Sequence, residues 1–160
     1  MVRVLVTGMS GTGKSAVLGE LRRRGHQVVD TDEGDWAEDV AAGPAGVERL
    51  WREDRMSELL AADGEGFLFV AGCVRNQGHF YDRFDAVVLL RAPAEVMLQR
   101  IAARTSNPFG KSAHERERIL RDLESVEPVL RRTATAELVT DRPLDEVVGE
   151  VEAIVRRLRG

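Results

Sequence analysis

Short apolar strands alternating with amphipathic helices predict an α/β fold, a parallel sheet with helices on both faces. Three observations carry that reading. A β-branched run, Val2–Thr7, ends on a glycine-rich loop that passes into a helical pattern. Two apolar runs, Phe67–Ala71 and 86–90, are continuous rather than alternating, as expected of strands covered on both faces. Most successive strand patterns are separated by a helical one.

Each element can be justified in order. Val2–Thr7 is too brief for a helix and is stopped by Gly8. Residues 15–24 read as a helix with Ala16, Val17, Leu18 and Leu21 on one face and Gly25 at the C-terminal cap position. Gln27–Asp30 reads as a second strand leading into an acidic turn. The spacing of Val47, Leu50, Trp51, Leu59 and Leu60 predicts one helix over 47–62, with Gly64 beyond its end. The runs Phe67–Ala71 and 86–90 follow as strands. Residues 94–104 are helical, 105–112 form a polar stretch around Asn107-Pro108-Phe109-Gly110, and 113–132 are helical again with Pro128 as a kink or break. A last strand over 136–140 and an amphipathic helix over 144–158 complete the chain. No repeat, low-complexity tail or long linker interrupts it, so one domain over 1–160 is expected.

Composition narrows the function classes. At 160 residues with 43% hydrophobic content the chain can bury a core. Only 5% is aromatic, so aliphatic side chains must fill most of it. Acidic residues outnumber basic ones 27 to 23, which speaks against a nucleic-acid binder. A single cysteine, Cys73, excludes an intrachain disulfide and fits a reducing compartment. No apolar run approaches membrane-span length and Met1 leads directly into a strand pattern, so a cytoplasmic protein is expected, monomer or homodimer. Among the 23 basic residues only Lys14 and Lys111 are lysines, which singles out both as places where an ammonium is needed.

Gly8-Met9-Ser10-Gly11-Thr12-Gly13-Lys14-Ser15 satisfies G-x-x-x-x-G-K-[ST] between a strand and a helix, the context a phosphate-binding loop requires. Glycines let the backbone wrap an anion with its N–H groups inward, and the following helix adds the positive end of its dipole. Lys14 would then lie between the β- and γ-phosphates of ATP, with the Ser15 hydroxyl on Mg²⁺. No acid ends the strand Phe67–Ala71, nor the run 86–90. The nearest carboxylates are Asp30 and Asp32, at the strand end that faces the ligand in a parallel sheet. Two residues apart on an extended segment, they point the same way, so one can serve the metal while the other accepts a substrate proton. A solvated acidic turn, with Glu33 and Asp35 following, is the plain alternative.

With these residues in place the chain resembles the small P-loop kinases of the nucleoside-monophosphate-kinase-like fold. The Asp30-Thr31-Asp32 segment resembles shikimate kinase, where the first Asp is associated with Mg²⁺ and the second binds acceptor hydroxyls. Glu53-Asp54-Arg55, Gly72-Cys73 and the pair Arg100 and Arg104 resemble the small nuclear-type adenylate kinases. The resemblance implies a three-layer fold around a five-stranded parallel sheet in strand order 2-3-1-4-5, and a lid at about 105–112. It also implies that one of Arg100 and Arg104 stacks on adenine while the other reaches the phosphates. Arg104 and Lys111 would close over the γ-phosphate, and Arg142 and Pro143 would contact the base. The chain departs from shikimate kinase in having Ala71-Gly72-Cys73-Val74 where a glycine triplet belongs. It also has Glu127-Pro128 where an arginine precedes the proline. The acceptor therefore reads as a different hydroxyl-bearing small molecule.

Simpler roles stand beside these. Arg100 and Arg104 can pair with Glu95, Glu115 or Glu117 on helix surfaces, and Arg55 with Glu58. Asp141-Arg142-Pro143 can simply start the last helix, and Trp51 fits a core position. Arg75, Asn76 and Gln77, after the third apolar strand, carry the donors and acceptors to bind a polar acceptor. The function expected is an ATP- and Mg²⁺-dependent phosphotransferase acting on a small-molecule hydroxyl, with Asp32 as the base. A nucleoside monophosphate kinase would instead use Arg55 and Arg75 to grip an acceptor phosphate. A third possibility is a slow ATPase that acts as a switch or assembly factor.

Overall fold

The structure, a computed structural model, describes residues 1–104 and 111–159. Strand β1 (Val2–Thr7) runs through the phosphate loop into helix α1 (Lys14–Arg23). The chain reverses there through Gly25 N–H to Arg22 O (3.0 Å) and His26 N–H to Leu21 O (3.1 Å), then enters β2 (Gln27–Asp30). A hairpin of β3 (Ala37–Ala41) and β4 (Val47–Trp51) precedes α2 (Glu53–Ala61). Next come β5 (Phe67–Ala71), a 3-10 stretch Gln77–Arg83, and β6 (Ala86–Arg91). Helices α3 (Ala94–Ala103) and α4 (Ala113–Thr133), strand β7 (Ala136–Val139) and helix α5 (Leu144–Arg159) finish the chain.

The main sheet is ordered β2-β5-β1-β6-β7 with every pairing parallel. Counted within that sheet alone, the order is 2-3-1-4-5. Side chains alternate between its faces. Val4 and Val6 of β1 face Val17 and Leu21 of α1 and Val148 and Val151 of α5, whereas Leu5 faces Met56 and Leu60 of α2 and Phe80. All of these side chains are buried. Each contributes about 1.5–3 kcal/mol of transfer free energy, so the central strands are apolar on both faces.

The segment 47–62 differs from the single helix its spacing predicts. Residues 47–51 are extended because 37–41 supplies an antiparallel partner, in register from Ala37 opposite Trp51 to Ala41 opposite Val47. The turn closes through Ala42 N–H to Gly46 O (2.8 Å) and Gly46 N–H to Gly43 O (2.9 Å). A non-local ladder has overridden a local helical spacing. The helix itself starts at Glu53, with Glu53 and Asp54 in its first turn where the dipole favours them. Pro128 neither kinks α4 to a stop nor breaks it, since the helix continues to Thr133. Glu127 beside it pairs with Arg91 at the end of β6, which fixes that turn of α4 to the sheet.

Trp51 is 2% exposed and donates its indole N–H to Thr31 Oγ1 (2.9 Å); Thr31 in turn donates to Ala71 O (2.7 Å). This chain locks the ends of β2, β4 and β5 together. Gly72 is required by it, because a Cβ there would lie 2.3 Å from Thr31 Oγ1.

At the opposite end of α1, Glu152 of α5 accepts from Arg24 and lies 2.9 Å from His26 Nε2. His26 is itself set edge-on against Phe67 and Phe69. Burial opposes ionisation of Glu152, but the hydrogen bonds from His26 and Arg24 outweigh it and hold the carboxyl below its ordinary range. A depressed folded value means stability that is present above the unfolded pKa and lost as pH falls through the folded one. Glu152→Gln is therefore expected to cost about 1–3 kcal/mol at neutral pH. That deficit should shrink steadily in urea titrations carried below about pH 4. No described helix is long and apolar enough to cross a membrane.

Candidate active site

In a parallel sheet the loops after the strands share one edge. Here that edge gathers the phosphate loop after β1, the acidic turn after β2, Gly72-Cys73 after β5 and Thr140 after β7. Gly11 takes φ 83° and leaves room for α3, since a Cβ there would lie 2.7 Å from Met97 O. Lys14 folds back over the loop and donates to Gly8 O (2.6 Å) and Met9 O (3.1 Å). Burial lowers its pKa from the ordinary lysine value, against the opposing pull of Cys73, Asp32 and Asp30, while Arg104 adds to the lowering.

Ser15 donates to Asp30 Oδ2 (3.1 Å), so the two residues expected to serve Mg²⁺ meet at the start of α1. Asp30 Oδ1 also accepts the Asp32 backbone N–H (3.0 Å), and Asp32 lines a cavity together with residues of the loop. The donor set is a hydroxyl and a carboxylate, both hard oxygen ligands. It fits a magnesium ion that takes its remaining ligands from phosphates and water. Among the described residues no group of three His, Cys, Asp or Glu side chains could hold a metal by itself.

Two cavities open on this edge. The larger, about 760 Å³, is lined by Ser10, Gly11, Gly13, Lys14 and Ser15 together with Asp30, Asp32, Arg100, Arg104, Thr140, Arg142 and Leu144. The smaller, about 220 Å³, is lined by Met9, Ser10, Lys14, Asp32, Cys73, Ile119 and Asp122. Ser10, Lys14 and Asp32 belong to both, so they stand where the two cavities meet. Gly8 and Thr12 support the loop from behind: Thr12 is buried and donates its hydroxyl to Met9 O (2.8 Å).

Arg100 pairs with none of the surface acids its spacing offered. Its guanidinium donates to Gly11 O (3.2 Å), Thr140 Oγ1 (2.9 Å) and Thr140 O (2.6 Å), while Thr140 Oγ1 donates to Thr12 O (2.7 Å). Arg104 lines the larger cavity near Lys14. Arg142 lines it too, with its guanidinium forked onto Glu150 at 2.8 and 2.9 Å. Pro143 stays outside the lining and starts α5, accepting the Glu146 and Val147 N–H groups.

The expected acceptor ligands are placed differently. Arg55 pairs with Asp35, not Glu58, and covers the Trp36 ring at 4.4 Å. Arg75 pairs with Glu48 (3.0 Å) on the hairpin. Asn76 is taken up by the Trp51 backbone, accepting its N–H (2.9 Å) and donating to its carbonyl (3.1 Å). Gln77 is buried and bonded to Thr7, Tyr81 and Val74. None of these four lines either cavity, and the amides of Asn76 and Gln77 are engaged in holding loops. Lys111 is exposed and outside both linings. The rest of the expected lid, 105–110, lies outside the described residues, while Ser112 caps α4 by accepting the Glu115 N–H (3.2 Å). Sequence reasoning missed Thr140, Ile119 and Asp122. Ser112 and Glu115 form a legible capping box, but nothing local marks Asp122 on a helix charged on several sides.

A phosphate loop with its lysine and serine, an acid after the second strand and this strand order define a P-loop kinase of the nucleoside-monophosphate-kinase-like fold. The chain belongs to the AAA domain family, whose model matches residues 4–121. It is an ATP-dependent kinase. It is 30% identical over 193 aligned positions to the dephospho-CoA kinase of Novosphingobium aromaticivorans, covering 96% of this chain and 93% of that one. Identity to the dephospho-CoA kinase of Deinococcus radiodurans is 29% over 199 positions, covering 98% and 92%. Among solved structures, the shikimate kinase from Bacteroides thetaiotaomicron superposes with a TM-score of 0.68 at 20% identity, over 97% of this chain and 98% of that one.

Proposed function

We propose that the enzyme transfers the γ-phosphate of ATP to a hydroxyl of a small molecule, with Asp32 as the proton acceptor. The observation that carries the reading is the sharing of Lys14, Ser10 and Asp32 between the larger and smaller cavities. A triphosphate laid along the loop in the larger cavity would end at Lys14, and an acceptor in the smaller one would meet it there. The acceptor oxygen attacks the γ-phosphorus, the bond to the β–γ bridging oxygen breaks, and the hydroxyl proton passes to the Asp32 carboxylate. Lys14 and the loop N–H groups hold the phosphates, and Arg104 adds positive charge from the side of α3. Ser15 and Asp30 would hold Mg²⁺, which when bound supplies charge neutralisation on the phosphate oxygens. The names of the relatives support the class, since dephospho-CoA and shikimate both carry hydroxyls. Arg55 and Arg75, the arginines a phosphate acceptor would need, are engaged with Asp35 and Glu48 instead.

The test is product analysis with ATP, Mg²⁺ and a panel of hydroxyl compounds and nucleoside monophosphates. Phosphorus NMR should show ADP together with a new phosphomonoester. ADP accompanied only by a phosphorylated nucleoside monophosphate, or only by inorganic phosphate, would refute hydroxyl transfer.

A further inference from the structure

We infer that the acceptor is a hydroxyl compound bearing a protonated amine, with Asp122 as the counter-ion of that amine. The inference rests on the hydroxyl-transfer reading and concerns the charge of the smaller cavity. Among the described residues its lining holds two carboxylates, Asp32 and Asp122, and a single cation, Lys14. Lys14 also lines the larger cavity, so its charge is answered by the triphosphate once ATP is bound. What remains for the acceptor is net negative.

Among the described residues no cation besides Lys14 lines this cavity: Arg104 lines the larger one beside Lys14, where the triphosphate would answer its charge too, and Arg118, one turn before Asp122 on α4, is exposed and lines neither. Arg55 and Arg75 are bound to Asp35 and Glu48 and line neither cavity. Arg91 is held between Glu127 and Glu137. The segment 105–110 reads Thr-Ser-Asn-Pro-Phe-Gly and contains no charged residue. An anionic acceptor would therefore bring its charge beside two carboxylates and the γ-phosphate. An ammonium meets Asp122, which is half-buried on α4 next to the buried Ile119. Partial burial strengthens such a pair relative to one on an open surface. Asp32 is left to the hydroxyl, because the protonated amine has no lone pair with which to attack phosphorus. Apolar contact with Met9 and Ile119 would cover the carbon skeleton between the two polar ends.

The experiment compares acceptors matched in skeleton and different in charge: serinol, glycerol and glycerate, and glucosamine, glucose and gluconate. The ammonium member of a triad is expected to exceed the neutral one in kcat/KM by about tenfold and the carboxylate by about a hundredfold. Asp122→Asn should collapse the amine-to-neutral ratio about tenfold, mainly through KM, and Asp122→Glu should restore part of it. A merely structural role for Asp122 would lower all three acceptors together and leave the ratio unchanged. Preference for the carboxylate, equal use of amine and neutral members, or an unchanged ratio in Asp122→Asn overturns the inference while leaving hydroxyl transfer intact. Turnover of ATP to ADP and inorganic phosphate, or transfer only to nucleoside monophosphates, with no member of any triad phosphorylated, defeats hydroxyl transfer itself, and this inference with it.

Discussion

Asp32→Asn is expected to lower kcat by about 10²–10⁴-fold, the usual contribution of a positioned general base, with the Kd for ATP nearly unchanged. The substitution is isosteric, and the turn that carries Asp32 is held by its backbone N–H on Asp30 Oδ1, which the change does not touch. In the proposed reading the phosphates are gripped by Lys14 and the loop amides, also untouched. Only the capacity to take a proton disappears. Rapid-quench turnover combined with calorimetric titration of ATP separates the two quantities. A phosphate acceptor arrives already ionised and needs no base, so a variant that retains most of its turnover would point to phosphate-on-phosphate transfer.

Lys14→Met should be the more damaging change, removing about 10³-fold or more of kcat together with most of the ATP affinity. It should do so without weakening the empty fold. Burial pushes the Lys14 ammonium below its ordinary pKa. For a base this means that the charged form is disfavoured in the folded state. That penalty is fully present below the folded pKa and is relieved as pH rises toward the unfolded one. At neutral pH the fold carries the penalty, so the Tm of nucleotide-free Lys14→Met should equal or exceed that of the wild type. The large stabilisation that ATP gives the wild type should vanish in the variant. A variant that melts well below the wild type would assign Lys14 a scaffolding role.

The parts of this molecule that were legible in sequence are those whose cause is local. The phosphate loop is written in consecutive residues, and the central strands announce themselves as apolar runs because both of their faces are covered. Asp30 and Asp32 could be placed because a parallel sheet sends every strand end to the same edge. The hairpin was not legible. Val47, Leu50 and Trp51 keep helical spacing, and only the distant segment Ala37–Ala41 makes them a strand, although Gly43-Pro44-Ala45-Gly46 marks a turn between the two. The acceptor side failed for a related reason. Asn76 and Gln77 carry the chemistry of ligands, but the Trp51 backbone and the Thr7 hydroxyl compete for the same donors and acceptors, and burial decides in their favour. Asp122 was invisible because its neighbours in space, Lys14 and Cys73, are far away along the chain.

Arg100 has a consequence for the economy of the catalytic cycle. With one guanidinium fastened to Gly11 and to Thr140, the walls of the proposed nucleotide berth are braced by the chain's own hydrogen bonds. The ordering entropy of those walls is thus a cost of folding, met once in the life of the molecule, and each incoming ATP is spared it.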